Sequence, residues 1–166
     1  MTRRPITKRA AIIAATALVA AGTVTAGVSL AGPESPKKPT KKEIAGLFDG
    51  WNKSLQTGDP EIVTERYADD AVLLPTVSNK VRTDHAGIED YFEHFLLNKP
   101  VGKKIETHIN ILDRNSALDA GVYQFTLTNP DTGAKSVVKA RYTYEYEKRD
   151  GEWKIVNHHS SVMPEG

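Results

Sequence analysis

The sequence predicts an α+β fold in which helices pack on one face of a curved antiparallel sheet. Between residues 44 and 96, apolar side chains recur every three or four positions, which is the spacing of amphipathic helices. From residue 104 onward they alternate with polar side chains, which is the spacing of half-buried strands. Because the helices come first and the long strands follow as one run, the layout is α+β rather than alternating α/β.

The first helix is predicted to begin at Thr40, because Thr40-Lys41-Lys42-Glu43 fits a capping box. Gly58 is expected to end it, and Asp59 to cap a short second helix over residues 60–68. The apolar side chains of the first helix form one stripe that faces a core. They are Ile44, Leu47, Phe48, Trp51 and Leu55.

A third helix is predicted over about residues 84–98, where the same helical spacing returns. Its stripe is Ile88, Tyr91, Phe92, Phe95 and Leu96. Core packing is the default role for such a stripe, and Tyr91 is also a candidate for lining a ligand pocket. One domain with a single core suits the residues that follow the N-terminal segment.

The remaining segments are predicted to be strands. A short one over residues 71–76 contains Pro75, which favours the edge of a sheet or a bulge. In the strand that starts near residue 104, alternation places Ile105, Ile109 and Ile111 on one face. The other strands are expected over residues 116–128, 137–148 and 153–162, with turns at 129–133 and 150–151.

The N-terminal segment has the pattern of a bacterial export signal. Four basic residues in the first nine positions precede an apolar run over residues 10–21, and small residues follow. Cleavage is expected after Ala26 or Ala31, which makes residues 1–31 a signal peptide, 32–39 a linker and 40–166 the domain. Arg3 and Arg4 resemble a twin-arginine start, while the general secretory route and an uncleaved membrane anchor remain alternatives.

Charge and cysteine content exclude several classes of function. Four of the 22 basic residues and none of the 21 acidic residues lie in the first 31 positions, so the exported part has 18 basic and 21 acidic residues, a net charge of −3. This argues against nucleic acid as a partner, and against a membrane contact other than during export. With no cysteine, the chain has no disulfide, thiol nucleophile or lipid-modified cysteine.

The last third of the chain resembles a known family. Residues 144–161, YEYEKRDGEWKIVNHHSS, place a charged Arg-Asp-Gly-x-Trp turn before a strand that ends in histidines and serines. This pattern is similar to the end of the association (hub) domain of calcium/calmodulin-dependent protein kinase II, within the nuclear transport factor 2-like superfamily. The resemblance, most of all to stand-alone bacterial relatives of the hub, covers about residues 41–164.

The resemblance implies a cone-shaped fold, with three N-terminal helices packed on the curved sheet. It also implies a homodimer or higher oligomer formed through the outer face of the sheet, and a pocket between the sheet and the helices. The hub pocket is basic and accepts small carboxylates. At the corresponding positions this sequence has Gln124, Tyr144 and Ser160, and its own Arg141 is offset.

Six residues are candidates for binding a small organic or carboxylate ligand. His158 and His159 are adjacent on a strand, so one faces the pocket and the other an interface or solvent. The others are Tyr91, Arg141, Tyr144 and Ser160. An internal ion pair of Arg141 with Glu145 or Asp119 is the competing interpretation for that arginine.

Three functional hypotheses follow, and none needs a cofactor or a metal. The first is an exported, non-catalytic, oligomerising module with a small-ligand pocket, and another is a purely structural assembly unit. The alternative is a lyase or isomerase of the polyketide cyclase or ketosteroid isomerase type, with His158 or His159 as base and Arg141 or Tyr144 stabilising an enolate. Asp119 could supply a carboxylate, but it lies near the turn at residues 114–115, where solvent exposure is expected.

Overall fold

The computed structural model describes residues 37–165, so the predicted signal peptide, both cleavage positions and most of the linker lie outside the described residues. Three α-helices, a 3₁₀ turn and five strands make up the described part. They are α1 (Lys41–Leu55), α2 (Pro60–Thr64), β1 (Tyr67–Leu74), α3 (His85–Phe95), the 3₁₀ turn (Leu96–Asn98), β2 (Val101–Ile111), β3 (Ser116–Thr128), β4 (Lys135–Arg149) and β5 (Glu152–Val162). Within residues 37–165, no helix is both long and apolar enough to cross a membrane.

The five strands form one sheet in the order β1-β5-β4-β3-β2. Strands β2 to β5 are a simple antiparallel meander, whereas β1 pairs with β5 in parallel. The hairpin between β4 and β5 turns at Asp150 and Gly151, whose φ angles of 51° and 88° suit the two-residue turn that the sequence predicts. The α+β expectation is therefore confirmed, with helices and a curved open sheet.

The helix boundaries follow from local hydrogen bonds. The Thr40 hydroxyl accepts from the backbone N–H of Glu43, which is the first half of the predicted capping box, whereas the Glu43 carboxylate accepts from the Trp153 indole N–H. The Asp59 carboxylate accepts from the N–H of Glu61, and Gly58 has a φ of +76° where α1 ends. The two N-caps and the glycine after α1 can be predicted from the sequence, because each depends on residues within four positions of one another.

The core lies between α1, α3 and the inner face of the sheet. From α1 it takes Ile44, Phe48, Trp51 and Leu55, each at most 2% exposed. Alternation along β4 brings three tyrosines to the same inner face, and all three are buried: Tyr142, Tyr144 and Tyr146. The part of the core that lies against β4 is therefore aromatic. Burial of those rings is a major contribution to the stability of the domain.

The second helix is shorter than predicted, and the first strand begins earlier than predicted. The helix ends at Thr64 rather than near residue 68, and the strand runs over Tyr67–Leu74 rather than residues 71–76. Tyr67 and Ala68 are buried in the sheet instead of ending a helix. Pairing of Tyr67 with Ile155 of β5 decides this, and that contact is invisible to a local pattern.

The prediction that Ile105 shares a face with Ile109 and Ile111 is wrong, because a β-bulge lies between Lys104 and Glu106. Before the bulge Lys104 points to the inner side and after it Ile109 does, whereas Ile105 is 50% exposed. Gly121 lies opposite this irregularity, where an added Cβ would come within 2.0 Å of the Glu106 carbonyl oxygen. The backbones of β2 and β3 therefore approach each other closely at this bulge, and a glycine at position 121 permits it.

Candidate functional site

A cavity of about 70 Å³ lies between the helices and the inner face of the sheet. Its walls come from α1, α3, β1, β3, β4 and β5 and from the segment that follows β1. Most of the wall is aromatic: Trp51, Tyr91, Phe92, Phe95, Tyr123 and Phe125. The polar groups among the described lining residues include the side chains of Thr76, His158 and Ser160 and the hydroxyls of Tyr91 and Tyr123.

His158 is a buried, neutral histidine at the inner end of this cavity. Its Nδ1 lies 2.9 Å from the Tyr67 hydroxyl and its Nε2 lies 3.5 Å from the Tyr123 hydroxyl. Burial, and secondarily the neighbouring His159, lowers the pKa of His158 to about 3. At neutral pH this imidazole is uncharged, so it can exchange hydrogen bonds but presents no cation to a ligand.

The hydroxyl groups beside His158 continue the hydrogen bonding along the cavity wall. Tyr123 donates to the Ser160 Oγ over 2.5 Å, and Ser160 in turn shares a hydrogen bond with Thr76. Burial raises the pKa of Tyr123 above its ordinary value, so the phenol keeps its proton at neutral pH. Strands β3 and β5 and the segment after β1 thus meet at one polar spot in an otherwise apolar wall.

Tyr144 supports the site from behind instead of lining the cavity. Its ring is fully buried and stacks on His158, and its hydroxyl has no hydrogen-bond partner among the described residues. Burial raises its pKa well above the ordinary value, so no phenolate is available there to a substrate. The role of oxyanion donor considered for Tyr144 has no geometric support, because the cavity wall does not include it.

Arg141 and His159 lie away from the cavity. Arg141 alternates with the buried Tyr142, so its side chain is exposed on the outer face of the sheet. His159 alternates with His158 and is exposed on that same outer face. Of the six candidates, the structure therefore brings together Tyr91, His158 and Ser160, places Tyr144 behind them, and separates Arg141 and His159 from them.

The expectation that Asp119 is exposed was wrong, as was the suggestion that it pairs with Arg141. Asp119 is 0% exposed, because its side chain points inward from β3 beneath α1. Its carboxylate accepts from the Lys104 Nζ at 2.9 Å and from the Tyr142 hydroxyl at 2.9 Å. Both oxygens are engaged by protein groups, so this carboxylate is a structural ion pair and not a free acid or base.

Several contacts near the cavity were missed at the sequence level, where Thr76, Arg82 and Tyr123 were not candidates. Tyr67 was assigned to a helix end, so its contact with His158, which lies 91 positions further along the chain, could not be foreseen. Arg82 lies in the loop before α3, where two backbone hydrogen bonds to Leu73 hold it against β1. It is 8% exposed, and a single arginine between Val81 and Thr83 gives no indication of that burial.

The Arg82 guanidinium lies beside Tyr91 at the rim of the cavity, 5.7 Å from the ring centroid. Its Nη1 donates to the Ser78 hydroxyl and to the Lys80 carbonyl, and its Nη2 pairs with Asp90 at 3.3 Å. Internal partners occupy both terminal nitrogens, so Arg82 anchors the loop.

One group of side chains in the described residues has a spacing that would permit cation binding: Asp90, Glu93 and His94 on α3. All three are exposed, and the Asp90 carboxylate already pairs with Arg82. Exposed acidic groups on one helix face are common without a metal, so the cluster assigns no cofactor.

Comparison with solved structures defines the class of fold. A nuclear transport factor 2-like superfamily protein from Salmonella enterica matches with a TM-score of 0.63 and 18% identity, covering 75% of this chain and 95% of that one. A ketosteroid isomerase-like protein from Erwinia carotovora atroseptica matches with a TM-score of 0.61 and 15% identity, over 72% and 93% of the two chains. The helices and curved sheet therefore form the cone-shaped nuclear transport factor 2-like fold.

A third solved structure is much more similar in sequence. The calcium/calmodulin dependent protein kinase II association domain from Xanthomonas campestris is 56% identical, with a TM-score of 0.76, over 78% of this chain and 91% of that one. The sequence model of that family matches residues 40–164. The chain belongs to the calcium/calmodulin dependent protein kinase II association domain family, which confirms the resemblance. A comparison with curated protein sequences gives no significant match.

Proposed function

We propose that the chain is an exported, non-catalytic, self-associating module of the association-domain type, with a cavity that takes a small ligand. Family membership is the observation that carries the proposal, since association domains are assembly units. The cavity described above is a second, separable part of it.

The outer face of the sheet is the surface on which self-association would occur. Three apolar side chains of β3 point outward between buried neighbours, and each is only partly exposed: Leu118, Ala120 and Val122. On β4 and β5 the polar Thr143 and Ser161 continue this face. A surface of apolar and hydroxyl side chains, with Arg141 and His159 among them, has the mixed composition of a subunit interface.

The alternative, a proton-abstracting lyase or isomerase, has weaker support from the geometry. Its base would be His158, because His159 is exposed on the other side of the sheet. Yet the Tyr67 hydroxyl occupies His158 Nδ1, and burial keeps the pKa of this ring near 3. A general base that works at neutral pH needs a pKa closer to 7 and a free lone pair toward the substrate.

Light scattering on the purified chain tests the self-association. A single chain has a mass of 18.2 kDa before any signal cleavage. At micromolar concentration we expect the mass of a dimer or of a larger closed assembly. A species that stays monomeric up to about 100 μM, far above the dissociation constant of a stable interface, would contradict the proposal.

Export is tested separately through the N-terminal arginines. If the twin-arginine route is used, replacing Arg3 and Arg4 by lysine should keep the protein inside the cell, because that route recognises the arginine pair and not positive charge alone. Fractionation of the producing cells gives the answer. Retention of the wild-type chain in the cytoplasm would contradict export altogether. Normal export of the double variant would leave the general secretory route.

A further inference from the structure

The hydrogen bonds around the cavity have a fixed direction, because they begin at a group that can only donate. Trp51 Nε1 donates to the Tyr67 hydroxyl at 3.1 Å, so the Tyr67 hydrogen is free to go to His158 Nδ1. The other His158 tautomer would leave the hydrogen of the buried Tyr67 hydroxyl without an acceptor among residues 37–165. His158 therefore carries its hydrogen on Nε2, directed at the Tyr123 oxygen.

The hydrogen bonds continue in the same donor-to-acceptor direction to the hydroxyls of Ser160 and Thr76. One hydroxyl hydrogen of this pair has no acceptor among residues 37–165. Tyr123 uses its hydrogen on Ser160, and Ser160 and Thr76 together hold two hydrogens but share only one hydrogen bond. Whichever of the two donates, the hydrogen of the other has no acceptor among the described residues. Thr76 and Ser160 both line the cavity, so this spare donor is available to a ligand. A buried donor left unpaired is costly, which favours a ligand that brings an acceptor.

The cavity offers nothing to balance an anion. No lysine, arginine or acidic residue is among its described lining residues, and burial keeps His158 uncharged at neutral pH. Arg82 lies beside the rim residue Tyr91 but is not among these lining residues. Its Nη1 donates to Ser78 and Lys80, its Nη2 pairs with Asp90, and its buried Nε has no partner among the described residues. A carboxylate in this cavity would be desolvated without a cationic partner, at a large cost in free energy.

We propose that the cavity binds a small, neutral, flat apolar molecule with one acceptor oxygen, such as an aromatic ketone or aldehyde. Its ring lies among Trp51, Phe95 and Phe125, and its oxygen accepts the spare hydrogen of the Thr76–Ser160 pair. This rests on the proposed function, since it names the ligand class of the same cavity. It departs from the small carboxylate that the family resemblance implies.

Three probes of nearly equal size test the ligand class: acetophenone, ethylbenzene and benzoate. Their dissociation constants for the wild-type chain at pH 7 are measured by ligand-observed NMR or calorimetry. We expect acetophenone to bind about fivefold more tightly than ethylbenzene, the ordinary effect of one hydrogen bond. Benzoate should bind at least about 100-fold more weakly than acetophenone, because its charge has no partner.

A variant without hydroxyls tests the position of the acceptor. Thr76→Val, Tyr91→Phe, Tyr123→Phe and Ser160→Ala are combined, because any one remaining hydroxyl of the cavity lining would replace the lost donor. We expect acetophenone to lose its advantage over ethylbenzene, while the affinity for ethylbenzene is kept and shows that the cavity is intact. Thr83→Val with Ser136→Ala makes the same kind of change at exposed positions outside the cavity lining and should leave all three affinities unchanged.

Each contrary outcome has a distinct meaning. Benzoate binding as tightly as acetophenone, or acetophenone no more tightly than ethylbenzene, overturns the ligand class but keeps the cavity as a binding site. If no probe binds at millimolar concentration, the ligand class and the ligand part of the proposed function both fail, and the measured assembly mass still decides self-association. If the combined variant does not fold, the ranking of the probes on the wild-type chain stands as the test.

Discussion

His158 lies face to face with Tyr144 on the neighbouring strand, with ring centroids 4.1 Å apart and ring planes inclined by 24°. Trp51 meets the edge of the same imidazole, with centroids 5.4 Å apart. The imidazole of His158 is thus packed like an aromatic ring of the core, while its two nitrogens take part in hydrogen bonds. Its protonation would place a charge between two rings, with no acidic side chain of residues 37–165 in contact, which couples the stability of the domain to pH.

The first prediction concerns that coupling. Because the pKa of His158 is lowered to about 3 in the folded chain, the unfolded chain binds a proton at higher pH than the folded one. The stabilising contribution is complete above about pH 6.5 and is lost as the pH falls toward 3, with a slope of about 1.4 kcal/mol per pH unit. Urea denaturation of wild-type and His158→Gln chains between pH 7 and pH 4 should show this slope in the difference between them.

NMR titration of the His158 ring provides an independent check of the same point. We expect its resonances to stay those of a neutral imidazole, with the hydrogen on Nε2, down to about pH 4. A midpoint near pH 6.5 in the folded protein would contradict both the buried position and the loss of stability in acid.

The second prediction concerns the buried pair of Lys104 and Asp119. Replacing Lys104 by methionine keeps its length but leaves the fully buried carboxylate without a counter-charge, so we expect a loss of about 3–5 kcal/mol in the free energy of unfolding. Adding Asp119→Asn removes the charge and still accepts from Tyr142, and it should restore part of that loss. Lys103→Met, at an exposed neighbouring position, is the matched control. Additive effects of the two substitutions would show that the pair is not coupled.

The third prediction compares two glycines. Gly121→Ala brings a methyl group within 2.0 Å of a backbone oxygen on the neighbouring strand, so we expect a destabilisation of more than about 2 kcal/mol. Gly46→Ala adds the same methyl group on an exposed position of α1 with no atom within 4 Å, and should stabilise by about 0.5–1 kcal/mol. Thermal unfolding followed by circular dichroism measures both. An unchanged midpoint for Gly121→Ala would mean that the bulge at residues 104–106 adjusts freely.

The fourth prediction tests the outer face of the sheet. Ala120→Glu places a carboxylate in the middle of the proposed contact surface, where two symmetry-related copies would repel each other. We expect a shift of the mass in solution toward the monomer, with the circular dichroism spectrum of the folded chain retained. Ile62→Glu, an exposed position on α2, should leave the mass unchanged. An assembly that tolerates Ala120→Glu would have to use another surface.

Local chemistry accounts for the parts of the fold that the sequence predicts well. The cap at Thr40, the turn at Asp150 and Gly151, and the strand Ser116–Thr128 all depend on neighbours in the chain, and the structure has each of them. Alternation likewise separates His158 from His159 on opposite faces.

The errors arise where distant segments decide. Tyr67 joins a strand because β5 is beside it, and Ile105 turns outward because a bulge shifts the alternation by one residue. Asp119 is buried because Lys104, on the adjacent strand, and Tyr142 meet it beneath α1. Composition and spacing contain none of these contacts, since they are properties of the assembled sheet.

The parallel pairing of β1 with β5 also determines when the sheet can be completed as the chain is synthesised. Of the described strands only β5 pairs with β1, and Tyr67 meets His158 across 91 positions of chain. A nascent chain that still lacks its last dozen residues has every helix and most strands, but leaves one end of its aromatic interior open to water. A translocase that carries unfolded chains could act before β5 is made, whereas one that carries folded cargo could act only after β5 has paired with β1.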